Sequence, residues 1–156
     1  MSQVESVGEL EQLRAQVQEL ADKVAIRELT ARFNETFDAG DGEGHADCYT
    51  ADGRMIYENG EGPSGREEFI ATCNLFDGQV IHVTTDARIE IDGDTATQVC
   101  GMIMFTRTKD RSANEFFMTG RYRDELVRTP EGWRFKTRRP EADLHSMSLF
   151  DKLGIG

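Results

Sequence analysis

Between Gln79 and Thr129 three long stretches of two-residue alternation follow one another, divided by "DGD" at 92–94 and by a loop at 109–114. A fourth, "WRFKTRR", follows the turn "PEG" at 130–132. Turns of this kind send a strand back along its predecessor, so the C-terminal half reads as an antiparallel meander. Helices are then confined to the N-terminal half. That order, helices first and a meander afterwards, defines an α+β fold in which helices cover one face of a curved sheet.

The helical half opens with Val7 to Gly40. Leu10, Leu13, Val17, Leu20 and Val24 follow a 3-4 spacing, after which the apolar positions shift to Ile26, Leu29, Phe33 and Phe37. The phase change predicts two helices or one bent helix, with Asp22 as N-cap of the second part. The first stripe is two positions in seven wide, the seam of a helix lying on one neighbour, whether its own domain or another subunit. "AGDGEG" ends the long helix, the short helix "HADCYT" and the strand "RMIYEN" follow, and Ser64 with Glu67 forms a capping box for the helix "EEFIATCNLF". A chain of 156 residues has room for one domain. Residues 1–21 read as its helical extension and 140–156 as its tail.

The second of the three long strand candidates, Thr95 to Thr108, is apolar on both parities: Val99, Ile103 and Phe105 alternate with Cys100, Met102 and Met104. Both faces therefore need a cover, and a homo-oligomer is expected; the apolar helix from Leu10 to Val24 and the long tail point to a trimer rather than a dimer. The net charge of −11 opposes a nucleic-acid partner. The basic residues of the last two strands read as a solvated face rather than a phosphate site. No apolar run is long enough for a membrane span, and the N-terminus lacks a secretory pattern. Cys48, Cys73 and Cys100, an odd set with wide spacing, suit buried thiols in the cytoplasm. No His and Cys spacing suggests a metal, and no glycine-rich loop suggests a cofactor.

Two residues raise the question of chemistry. Counting in twos, His82 falls with Thr84, Asp86, Arg88 and Glu90, opposite Ile81, Val83, Ala87, Ile89 and Ile91. Parity puts it on the polar face, unless "TTD" holds a bulge or that face lines a roofed cavity. Asp38 ends the long helix, where the dipole disfavours a carboxylate that has neither water nor a compensating partner. His45, in the loop before the short helix, is expected in solvent.

The segments "VAIRELTARFNETFDAGDGEGHADCYTADG", "GREEFI", "IHVTTDARIEIDGDTAT" and, most specifically, "GRYRDELVRTPEGWRF" resemble the SnoaL-like branch of the nuclear transport factor 2-like superfamily. The resemblance spans Val24 to Arg139 and is strongest to scytalone-dehydratase-like and bile-acid-dehydratase-like proteins. It implies a cone-shaped barrel, a strongly curved antiparallel sheet wrapped around the helices with a deep apolar pocket at its open end. It also implies an Asp from the end of the long helix meeting a His from the first long strand. Asp38 and His82 fall on those positions as the catalytic pair. Phe33, Phe37, Phe69, Met102, Met104, Phe116 and Trp133 are expected to line the pocket, with Tyr49 and Tyr57 as hydrogen-bond donors to an oxyanion. The implied activity is that of a cofactor-independent lyase or isomerase, dehydratase-like, acting on a hydrophobic cyclic or polycyclic small molecule. Phe33 stands where such dehydratases often carry a Tyr, and Met104 where the bile-acid enzymes place an acid. Those departures keep open the alternative of a non-catalytic small-molecule-binding or accessory protein with the same pocket.

Overall fold

The computed structural model describes residues 3–145. Helix α1 (Gln3–Ala39) is one continuous helix rather than two. Nothing between Glu9 and Asp38 interrupts it, since that stretch contains neither Gly nor Pro. The phase change marks a change of buried face: residues 7–21 are all exposed, whereas Ile26, Leu29, Phe33 and Phe37 are buried under the sheet. Gly40 ends the helix in the left-handed region, at φ 73°, and the Asp41 N–H returns to the Thr36 carbonyl at 2.8 Å.

Two local expectations shift. Helix α2 is Gly42–Ala46, capped by Asp41, whose side chain accepts the Gly44 N–H, and strand β1 is Tyr49–Met55. The short helix and the strand thus both begin earlier than "HADCYT" and "RMIYEN", because Asp41 is a cap and Asp47 already a stop. Helix α3 (Gly65–Phe76) starts at Ser64, whose side chain makes no capping bond. The carboxylate of Glu68, not Glu67, accepts the Ser64 N–H at 2.8 Å. Gly65 enters at φ 76°, and the box slips by one residue.

The sheet comprises β2 (Val80–Asp92), β3 (Thr95–Arg107), β4 (Asn114–Thr129) and β5 (Gly132–His145), in the order β1-β5-β4-β3-β2. All pairs are antiparallel except β1 with β5. Pro140 to His145, expected to open the tail, continue β5. Leu149, Phe150, Leu153 and Ile155, the apolar residues of the expected tail, lie outside the described residues. Register slips interrupt every strand pair, and each adds local twist, so the sheet curls around α1 without closing. Its concave face holds Met102, Tyr122, Leu126 and Phe135 against the helix. On its convex face Val83, Ile103 and Phe116 are 40%, 38% and 41% exposed.

One polar staple fixes α1 to the far end of the sheet. Asp22, expected as a helix cap, instead lies mid-helix and accepts both Nη atoms of Arg128 at 2.6 and 2.8 Å and the Trp133 indole N–H at 3.1 Å. The Arg128 hydrogen bonds hold its carboxyl below the usual 3.8, at about 2. Since the folded value is depressed, the stability this carboxylate contributes is complete above pH ~4 and is lost as the pH falls toward ~2. Asp22→Ala strips four donors of their acceptor, the fourth being Gln18 Nε2 at 3.2 Å, and the expected loss is about 2–4 kcal/mol in urea unfolding at neutral pH, shrinking as the titration is approached.

Candidate active site

The interior location of His82 comes from a single slip in β2. Pairing with β3 runs from Val80↔Thr106 to Thr85↔Gly101 and resumes at Arg88↔Val99, with Asp86 at φ 52°. Before the slip Val80, His82 and Thr84 point inward; after it Ala87, Ile89 and Ile91 do. The bulge sits in "TTDA", where alternation fails to report it.

Asp38 meets His82 twice. Its Oδ1 lies 2.6 Å from the imidazole Nδ1, and its Oδ2 accepts the His82 backbone N–H at 2.8 Å. With Nδ1–H donated to the carboxylate, Nε2 carries the free lone pair. The His82 side chain is 3% exposed and that of Asp38 17%, so the pair sits at the edge of the packed interior. Arg107 answers the helix-end objection to Asp38: its Nη1 donates to the Asp38 carbonyl at 3.3 Å and to the Gly78 carbonyl at 2.8 Å, placing positive charge at the negative end of the dipole. Asn34, one turn before Asp38, donates to Thr84 Oγ1 at 2.9 Å, and its own Oδ1 is buried without a partner.

Phe33 is the hub beside this pair. Its ring centroid is 5.7 Å from that of His82, 4.6 Å from His45, 6.2 Å from Tyr49 and 6.0 Å from Tyr122. Against its face, 4.1 Å away, lies the guanidinium of Arg138, which also stacks on Tyr122 at 3.8 Å and Phe135 at 4.4 Å. Arg138 is fully buried. It stands directly across the β4–β5 ladder from Asp124, Nε to Oδ1 3.2 Å, but the approach lacks hydrogen-bond alignment, leaving Nε and Nη1 without acceptors. Asp124 is held on its other oxygen by Gln98 at 2.8 Å, and burial raises its carboxyl above the usual range despite the guanidinium.

His45 corrects the expectation of a solvated loop histidine. It is 1% exposed, between Phe33, Phe37, Tyr49 and Phe69. Helix α2 packs closely on α3 at Gly42, where a Cβ would meet Ile70 at 3.1 Å and require it to shift by a few tenths of an ångström. Desolvation, then repulsion from His82 and Arg138, lowers the His45 pKa to about 3, and its Nδ1 has no partner.

The remaining expected residues divide. Phe37, Phe69, Met102 and Tyr49 are buried around Phe33, with Tyr49 stacked on Phe69 at 3.8 Å and its hydroxyl unpartnered. Met104, half-buried, faces inward opposite His82 in the ladder. Phe116 lies on the convex face, because a slip at Met104/Phe105 turns Phe117 inward in its place. Trp133 belongs to the Asp22 staple, about 24 Å along α1 from Asp38. Tyr57 sits in the turn after β1, 40% exposed. Two surface depressions, of about 260 Å³ beside Arg88 and Arg121 and about 230 Å³ beside Arg54 and Gly62, are lined by neither Asp38 nor His82. Among the described residues no three His, Cys, Asp or Glu side chains converge as a metal site, and no helix is long and apolar enough to cross a membrane.

A mostly antiparallel sheet curled around a long helix is the fold of nuclear transport factor 2-like domains. Residues 18–139 match the SnoaL-like domain, and the chain belongs to that family. It is similar to the solved structure of a variant of Rv3472, a protein of unknown function from Mycobacterium tuberculosis, at 30% identity and TM-score 0.74 over 81% of this chain and 74% of that one. An NTF2-like protein with a cystatin-like fold from Novosphingobium aromaticivorans is 27% identical, TM-score 0.77, over 92% of this chain and 96% of that one. A scytalone dehydratase candidate from the same organism shares the fold at 18% identity, TM-score 0.74, over 84% and 90%. No curated protein sequence matches the chain.

The buried imidazole of His45 makes stability depend on pH. Its folded pKa of about 3 lies below the ordinary 6.5, so its contribution is complete above 6.5 and falls as the pH drops. The expected slope is about 1.4 kcal/mol per pH unit below that point. His45→Phe should flatten the fall in melting temperature between neutral and mildly acidic buffer. A fall as steep as in wild type excludes His45 as its source.

Proposed function

We propose that the chain is a cofactor-independent lyase or isomerase of the dehydratase type, in which His82 removes a proton from the carbon next to a carbonyl of a hydrophobic cyclic or polycyclic small molecule. The observation that carries this reading is the double hold of Asp38 on His82, at the side chain and at the backbone. It fixes ring orientation and tautomer, leaves Nε2 as the base, and keeps a carboxylate beside the imidazolium that forms when the proton arrives. The enolate so produced needs positive charge or hydrogen-bond donors. Arg138 Nη1 and the Tyr49 hydroxyl, both buried and unpartnered, are available donors. Expulsion of a beta hydroxyl as water, assisted by the proton now on His82, completes an elimination; return of that proton at another carbon completes an isomerisation. Met104 and Met118 pack against both apolar clusters around the pair. Their flexible side chains are the ones a substrate would displace. Self-association belongs to the same reading, as does a reducing compartment such as the cytoplasm, which suits three buried free thiols.

The scytalone dehydratase candidate among the structural neighbours supports the type of chemistry only by analogy of fold. A second reading, a binding or accessory protein, draws on the Phe33 ring, which fills the space between His82 and Arg138.

The two readings separate in deuterium oxide with cyclic beta-hydroxy ketones. The enzyme exchanges the acidic carbon-bound proton and releases the unsaturated ketone. In His82→Ala and Asp38→Asn both rates should fall by about 100-fold or more when measured below each variant's melting temperature. Exchange undiminished in His82→Ala rejects the catalytic assignment. A ketone that binds wild type and His82→Ala equally, and is recovered without exchange, establishes the binding protein.

A further inference from the structure

Residues 7–21 of α1 are all exposed, and among the described residues the helix first meets the sheet at Asp22. Val7, Leu10, Leu13, Val17, Leu20 and Val24 are 53%, 48%, 57%, 65%, 63% and 52% exposed. A helical segment without tertiary contacts is marginal in water, so this length of helix needs a partner to persist. Its own domain does not supply one. At 100° per residue the direction of the stripe lies roughly 160° around α1 from Asp22, Ile26, Leu29, Thr30, Phe33 and Phe37, the side that meets the sheet. A partner can therefore lie along the stripe without touching the domain that α1 enters.

We infer that this partner is a second copy of the same segment, in a parallel two-stranded coiled coil. Three features of the stripe select that occupant. The spacing from Leu10 to Val24 is strictly 3-4, which keeps Leu10, Val17 and Val24 at the first core position of the heptad and Leu13 and Leu20 at the second. Valine at the first with leucine at the second favours two parallel strands over three. Glu9 and Arg14 occupy the flanking positions that face each other across a parallel pair, so each copy's glutamate meets the other's arginine twice per dimer. The antiparallel arrangement would instead set Arg14 against Arg14 of the second copy and leave Val24 without an apolar partner layer. The pairing also leaves the Asp38 and His82 end of α1 free, because the seam ends at Val24, fourteen residues before Asp38.

Sedimentation equilibrium of the full chain over a concentration series tests this. Wild type should show a self-association that Leu13→Lys with Leu20→Lys weakens by roughly 100-fold or more, since two charges per chain then enter the core layers. Thermal melting of the domain should be unaffected, because both positions are exposed. Leu10→Cys should cross-link to itself under mild oxidation, the native cysteines being buried. Glu9→Arg should weaken association and Glu9→Arg with Arg14→Glu restore it. A double-lysine chain of unchanged mass overturns the inference. So does a monomeric wild type whose stripe is covered by its own C-terminal segment. Association without Leu10→Cys cross-linking overturns the parallel arrangement.

Discussion

A guanidinium in a cone of hydrocarbon sets the terms for everything around it. Arg138 is fully buried, and taking such an ion out of water costs several kcal/mol even after relaxation. Three aromatic faces and one carboxylate offset that cost. The carboxylate must itself be supported, which is the work of Gln98, and Gln98 in turn donates to Thr30 on α1 at 2.9 Å. The charge at the centre of the sheet is thus tied through two strands to the helix. The same helix presents Phe33 to the guanidinium and Asp38 to His82, so the buried charge and the acid–imidazole pair share one rigid element.

Much of this was readable from the residues. The meander, the long helix and the paired positions of Asp38 and His82 follow from turns, periodicity and the family pattern. Alternation alone misplaces His82, Phe116 and Arg138, and it does so for one reason. In β2 the slip at Thr85/Arg88, in β4 the slip opposite Met104/Phe105, and in β5 the extra residue near Lys136 each turn the next side chains to the other face. A parity count carried through a bulge inverts every residue beyond it. Counting from Trp133 groups Phe135, Thr137 and Arg139, whereas the residue that enters the interior is Arg138. Bulges with a left-handed residue usually carry Gly or Asn; here the residue at φ 52° is Asp86, a weak signal in a strand already rich in polar side chains.

The two histidines show how environment, not residue type, assigns a role. His82 has a carboxylate on one nitrogen and packs edge-on to Phe33 and Phe37. His45 packs on the same two rings with no carboxylate in hydrogen-bond reach, and desolvation keeps it neutral. A positive charge on His82 further disfavours one on His45. A short helix of five residues, capped by Asp41, delivers the second histidine. Its sequence, "GEGHA", carries two glycines and reads as loop, which is why His45 was expected in water.

Around Phe33 four polar atoms are buried with no partner in the described structure: Tyr49 Oη, His45 Nδ1, Arg138 Nη1 and Asn34 Oδ1. Each such atom costs about 1–3 kcal/mol, and native cores rarely tolerate several together. Elsewhere the same interior satisfies its polar groups carefully, as at Asp22 and Gln98. The deficit is therefore local, and it coincides with the aromatic hub between the acid–imidazole pair and the buried guanidinium. A fold selected for stability alone would place phenylalanine at 49 and leucine at 45 and lose nothing in packing. A phenol, an imidazole, an amide and a guanidinium thus each keep an unsatisfied atom there among the described residues, a local departure from how the rest of the interior is built.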